Sequence, residues 1–155
     1  MRFFSLIKLL PSKSFYLGKG VVTRYTLIEI RWLFSIYFHH IETFEQDRFH
    51  THAFNAHVWI LNGGYVDEIK NGIGPNKPTE IKTFKRGNYR YIPRELNHKL
   101  REAEKDTLSL LITGPYSTIW TEETDDGVLR ILTKHRIPLG EINIQKDKQN
   151  VTSKN

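Results

Sequence analysis

The sequence predicts an all-β domain closed as an antiparallel sandwich or barrel. Three observations lead there. Apolar and polar residues alternate with period two in several short runs, the pattern of half-buried strands. Gly, Pro, Asn and Asp recur between those runs at turn positions. No convincing amphipathic helical stretch interrupts them. At 155 residues the chain is expected to fold as one domain over residues 1–140, followed by a polar tail over residues 141–155.

The opening MRFFSLIKLLP has a cationic start and a short apolar run. Lys8 interrupts the run, Pro11 closes it, and no small-residue cleavage site follows. A first strand or edge segment is expected there. Residues 26–38 (TLIEIRWLFSIYF) carry Ile28, Ile30, Trp32, Phe34, Ile36 and Phe38 on even positions and Glu29, Arg31, Ser35 and Tyr37 on odd ones. That parity predicts a long half-buried strand, or a strand pair, whose apolar side is even. His39 and His40 follow as interface or solvent groups, with His40 on the apolar-side parity and so the better placed to reach an interior.

Two short strands are expected around Asn62-Gly63-Gly64, which supplies the positive φ of a tight turn or bulge. Residues 70–78 (KNGIGPNKP) read as a loop. Strands follow over residues 81–84 and 88–92, the second stopped by Pro93. Residues 98–102, 106–113, 117–121 and 128–133 complete the set. Glu122, Glu123, Asp125 and Asp126, ahead of Gly127, read as a charged hairpin turn rather than an acid/base cluster.

Composition limits function. The net charge of +6 is spread along the chain without an arginine-rich block, so no nucleic-acid partner is expected. No stretch reaches the roughly 20 apolar residues of a membrane helix, so no membrane partner is expected. With no cysteine, disulfides and thiolate metal sites are excluded and a cytoplasmic location is expected. Any metal must bind through nitrogen or oxygen.

The stretch FHTHAFNAHVWILNGGY, residues 49–65, holds His50, His52 and His57. Histidines two apart on a strand point the same way. Two such imidazoles joined by a third from another strand can hold a metal. His98 closes GNYRYIPRELNH, residues 87–98. The competing reading leaves these histidines on an edge strand facing water. His57 lies five residues past His52, an odd step, so it joins the set only if a bulge at residues 53–56 turns it inward. Otherwise it faces outward or orients a ligand. Arg48 and Arg90 are candidates for pairing a substrate carboxylate or phosphate. Trp59 and Tyr91 are candidates for a pocket wall, against plain sheet packing.

These motifs resemble the two signatures of the cupin superfamily. His50-x-His52 followed by Gly63 or Gly64 is similar to the first, and Gly87-x5-Pro93-x4-His98 is similar to the second. His57 stands near the usual glutamate, and Glu95 stands where a glycine is usual. The stretch LLITGPYSTIW is similar to segments of small cupin-like proteins of bacteria and their phages. The resemblance implies a double-stranded β-helix, a small jelly-roll barrel. It implies a divalent metal on His50, His52 and His98, with His57 optional. Iron is the first expectation, with Zn, Ni, Mn or Cu as alternatives. If the chain is an enzyme, the resemblance implies a metal-dependent dioxygenase acting on a small polar molecule, with an isomerase or lyase as a further class. One rival is a metal-free sugar-nucleotide isomerase or epimerase using a histidine as acid or base. Another is a non-catalytic ligand-binding or viral accessory protein. A homodimer through residues 26–38 is expected.

Overall fold

A computed structural model describes residues 2–17, 20–43, 48–124, 127–133, 135 and 137–144. Asp125, Asp126 and residues 145–155 lie outside the described residues.

The alternating runs form two antiparallel sheets. The first has six strands: β1 (Ser12–Leu17), β2 (Gly20–Ile30), β3 (Phe34–Thr43), β10 (Thr107–Thr113), β5 (Ala56–Asn62) and β8 (Tyr89–Ile92), in the order β1-β2-β3-β10-β5-β8. The second has seven: β13 (Pro138–Asn143), β12 (Val128–Thr133), β11 (Ile119–Glu123), β4 (Phe49–His50), β9 (Asn97–Ala103), β6 (Gly64–Lys70) and β7 (Thr79–Lys85), in the order β13-β12-β11-β4-β9-β6-β7. The sheets pack face to face as the expected jelly roll. Tyr37, Val58, Ile60 and Leu111 of the first sheet meet Tyr65 of the second in the main core.

The chain changes sheets at Gly63 and Gly64. Gly63 has φ +65°, and a Cβ there would lie 2.5 Å from Thr107 Oγ1. Thr107 in turn accepts the Gly64 N–H at 3.1 Å. The Asn-Gly-Gly signal thus marks a corner between sheets, with no room for a side chain.

The N-terminus departs from expectation. Arg2–Ile7 is a short helix, α1, not a strand. Its Ile7 is 3% exposed and packs with Tyr25, Phe38 and Leu108 on the outer face of the first sheet. A second apolar surface therefore exists outside the sandwich, and α1 covers it.

That cover explains the parity of residues 26–38. Arg31, Trp32 and Leu33 form the turn between β2 and β3, so the run is a strand pair. On β3 the even Phe38 faces α1. The odd Ser35 and Tyr37 are fully buried, and Tyr37 belongs to the core between the sheets. The apolar side of the pattern is the helix side at β3. Trp32, at the tip, is 79% exposed. Nor is this pair a sheet edge, because β1 and β8 are the edges of its sheet.

Two smaller corrections concern the C-terminal half. β13 pairs with β12 through Asn143, so residues 141–143 are strand rather than tail. Glu123 is no turn residue. It is 1% exposed and binds Lys70 Nζ at 2.8 Å, the Gly74 N–H at 3.0 Å and Asn97 Nδ2 at 3.0 Å. This buried carboxylate ties the loop after β6 to β9 and β11.

Candidate metal centre

β4 is only two residues long, yet it sets the site. It pairs His50 with His98 of β9 and Glu122 of β11. Thr51 continues the tether, donating its N–H to Thr121 O at 2.9 Å and accepting the Thr121 N–H at 2.9 Å. The His52 N–H then donates to Arg94 O at 3.0 Å. These bonds hold His50 and His52 on the same side as His98.

The three rings converge. Centroids lie 4.8 Å apart for His50 and His52, 4.7 Å for His50 and His98, and 5.0 Å for His52 and His98. One nitrogen from each ring lies within 4.8 Å of the others. Nε2 of His52 and Nε2 of His98 are 2.8 Å apart. Two nitrogens bound to one ion at about 2.1 Å, at an angle between a right angle and the tetrahedral angle, lie about 3.0–3.4 Å apart. The pair is thus already near bonding separation, and the donors fit a divalent cation. An all-imidazole set suits Fe, Zn, Ni and Cu better than Mn, which favours oxygen.

A buried ion pair aims His98. Its Nδ1–H donates to Asp67 Oδ1 at 2.8 Å, and Asp67 Oδ2 accepts from Arg90 Nη1 at 2.7 Å. Asp67 is fully buried and Arg90 is 6% exposed. Burial pushes the Asp67 carboxyl up. The charges and hydrogen bonds of His98 and Arg90 outweigh it and hold the carboxyl below its usual range. An ionised Asp67 holds a proton on His98 Nδ1 and points Nε2 toward the other rings. Burial, then the like charges of His50 and His98, hold His52 well below the usual imidazole range. Neutral imidazole is the ligating form.

The rings form one wall of a cavity of about 300 Å³ between the sheets. His39, Tyr116, Trp120 and His135 also border it. His39 keeps some exposed surface toward this space, yet burial and then the Arg24 charge depress its pKa to about 3. His39, not His40, reaches the interior. His40 is paired with Asp106 at 3.2 Å.

Other sequence candidates lie elsewhere. His57 is exposed on the outer face of β5, where Ala56, Val58 and Ile60 take the inward positions. No bulge at residues 53–56 turns it inward. Its Nδ1 bonds Tyr89 Oη at 2.8 Å, and it stacks against Trp59. Tyr91 is 48% exposed on that outer surface, within 5.1 Å of the His57 ring. Neither Trp59 nor Tyr91 borders the cavity. Arg90 points inward, but to Asp67, and Arg48 pairs with Glu122 at 3.4 Å. Asp67 was missed. Its signal was an acid on the same strand parity as Tyr65, with an arginine on the inward parity of β8 to balance it.

No protein-family model matches the sequence, and no curated protein matches it. Solved structures do. A candidate sugar phosphate isomerase from Acidithiobacillus ferrooxidans is 13% identical, covers 91% of this chain and 90% of its own, and superimposes with a TM-score of 0.62. The EutQ protein of Clostridium difficile is 13% identical over 70% of this chain and 83% of its own, with a TM-score of 0.52. An oxalate decarboxylase from Bacillus subtilis is 15% identical over 68% of this chain, with a TM-score of 0.49. The chain spans only 27% of that decarboxylase's length. These neighbours are cupin-type proteins. The chain has the cupin jelly-roll fold, and it carries a histidine triad that could hold a metal ion.

Proposed function

We propose that this chain is a metal-binding cupin-type protein whose His50, His52 and His98 hold one divalent ion facing a small polar molecule in the cavity. The convergence of the three rings, with His98 aimed by Asp67, carries this reading. A divalent ion held by these three imidazoles would supply Lewis-acid polarisation of a substrate oxygen. The residues supply the rest. His50, His52 and His98 present lone pairs, Asp67 holds the His98 proton on Nδ1, and the apolar walls limit water. Dioxygenation of a small polar substrate with iron is the reaction class we place first, because the all-histidine set resembles that of three-histidine dioxygenases. Isomerase or lyase chemistry comes next. The test is elemental analysis of the wild type beside a His50→Ala, His52→Ala double variant. Stoichiometric metal only in the wild type is expected, and equal metal in both sinks the reading.

One observation favours a second reading. Asp67, His98 and His52 form a chain of contacts at 2.8 Å each, with Nε2 facing Nε2. In metal-free protein one of those two nitrogens carries the proton, so the chain is a ready acid/base relay. Activity that survives a chelator and disappears in His52→Ala would establish it. A non-catalytic ligand-binding role predicts thermal stabilisation by a ligand without turnover.

We also propose a cytoplasmic homodimer. The cysteine-free sequence supports the location. Among the described residues no helix is long and apolar enough to cross a membrane. Exposed Leu27, Trp32 and Leu33 at the β2–β3 tip support the dimer. Light scattering should give twice the chain mass, falling to one chain mass in Trp32→Lys.

A further inference from the structure

The cavity carries one more signal. No Asp or Glu is among the described residues that border it, while Lys13, Arg24 and Arg31 all do. Lys13, Arg24 and His39 stand in one cross-strand row, because Lys13 pairs with Arg24 and Arg24 pairs with His39. All three border the cavity. A row of basic groups on the inner face of a sheet is costly unless something offsets it.

These cations are not equivalent. Arg31 is engaged, with Nε donating to Glu29 Oε1 at 2.9 Å and Nη2 lying 2.8 Å from the same oxygen. Lys13 is exposed at the rim. Arg24 differs from both. Its side chain is 17% exposed, and its nearest carboxylate contact, Nη2 to Glu29 Oε1, is 3.7 Å. That is beyond hydrogen-bond reach. Among the described residues the Arg24 guanidinium makes no hydrogen bond, and its Nε is sealed without an acceptor. One donor, the Nε–H, is buried and unmet, which is costly, and the two Nη groups keep only the long ion pair with Glu29.

The fork is also held still. Arg24 Cζ lies 4.5 Å from the Tyr37 ring centroid and 5.1 Å from that of Phe15. Those cation–π contacts fix the guanidinium without using its N–H groups. Burial first, and then the Arg24 charge, depresses the pKa of its neighbour His39 to about 3.

Resting on the metal-centre reading, we infer that Arg24 anchors the carboxylate of a small organic acid whose other end faces His50, His52 and His98. A planar carboxylate matches one guanidinium fork in bidentate fashion. A phosphate dianion would call on several cations, but Glu29 holds Arg31 closely at 2.8 Å and Arg24 only at 3.7 Å, and Lys13 stands at the rim. A cavity of about 300 Å³ lies at the small end of ligand sites, so the acid is short, with an apolar stem against Val22, Phe15 and Ile41.

The experiment is calorimetric titration of the full chain, metal-loaded and chelator-treated, with acetate, butyrate, succinate and inorganic phosphate. The proteins are the wild type, Arg24→Met, Arg24→Lys and the His50→Ala, His52→Ala double variant. At least one carboxylate should bind wild type in both metal states. Arg24→Met should weaken it at least tenfold with metal content unchanged. Arg24→Lys, which keeps the charge and loses the fork, should fall between. Equal binding by wild type and Arg24→Met, tighter binding of phosphate, or no binding of any acid overturns the inference. Should Arg24→Met not fold, the Arg24 Nε resonance of the wild type decides the matter, since a saturating acid that leaves it unmoved also overturns the inference. Absent metal with Arg24-dependent carboxylate binding brings down the metal reading alone. Intact metal with Arg24-independent binding brings down this inference alone.

Discussion

Asp67 sits between His98 and Arg90, accepting from Nδ1 of one at 2.8 Å and from Nη1 of the other at 2.7 Å. It orients the candidate ligand His98 and offsets a buried guanidinium at once. Asp67→Asn should therefore do two things. Metal affinity should fall 10–100-fold by loss of ligand orientation, as read by chelator competition. Stability should fall by about 3–5 kcal/mol, because Arg90 is left with an uncompensated charge. A variant with wild-type metal affinity would show that His98 needs no partner.

Acidification should destabilise the fold through His39. Its folded pKa is depressed to about 3, while an unfolded histidine titrates near ~6.5. Between those values the unfolded chain binds a proton that the folded chain does not. Stability is therefore complete above the upper value and is lost progressively as pH falls below it, by at most about 1.4 kcal/mol per pH unit. Asp67, whose folded pKa is lowered, contributes stability that is fully present above the unfolded carboxylate range and is lost progressively as pH falls from there through its folded value. Urea titrations at mildly acidic and neutral pH should show the first slope, and His39→Asn should lessen it, leaving the share of His52, which burial also holds well below the usual imidazole range. The same slope in both proteins would place the titrating group elsewhere.

Glu123 should behave as an internal fastener. Glu123→Gln leaves Lys70, 7% exposed, without its counter-charge and should cost about 3–5 kcal/mol. It also weakens the bond to the Gly74 N–H, so limited trypsin digestion should cut sooner at Lys77. Unchanged digestion with lowered stability would mean the loop is held by other contacts.

His57→Ala should leave metal content unchanged, whereas His98→Ala should abolish it. Elemental analysis of the two variants beside wild type separates the inner histidines from the outer one. Metal loss in His57→Ala would refute the outward placement.

Much of this architecture was readable from the residues. Period-two alternation located most of the strands because each has one face on the core. The spacing of His50, His52 and His98 located the triad because a strand returns a side chain to the same face every second residue. Parity also told against His57, and the structure agrees with that argument. What escaped detection depended on what lies opposite. The even face of residues 34–38 reads as interior, and nothing local says that α1 covers it from outside. Arg90 reads as a substrate arginine until Asp67 is seen across from it. Glu123 reads as a turn acid because its partner Lys70 is remote in sequence. The cation–π hold on Arg24 depends on Phe15 and Tyr37, brought together only by the pairing of β1, β2 and β3.

β4 joins β11 to β9 through just Phe49 and His50. Half of the second sheet therefore hangs on the other half by its narrowest ladder, and the rungs of that ladder carry the candidate ligands. Whatever draws the three imidazoles together also cross-links those halves. Loading the centre amounts to closing a seam, and amide protons from residue 49 to residue 52 should exchange more slowly once it is shut.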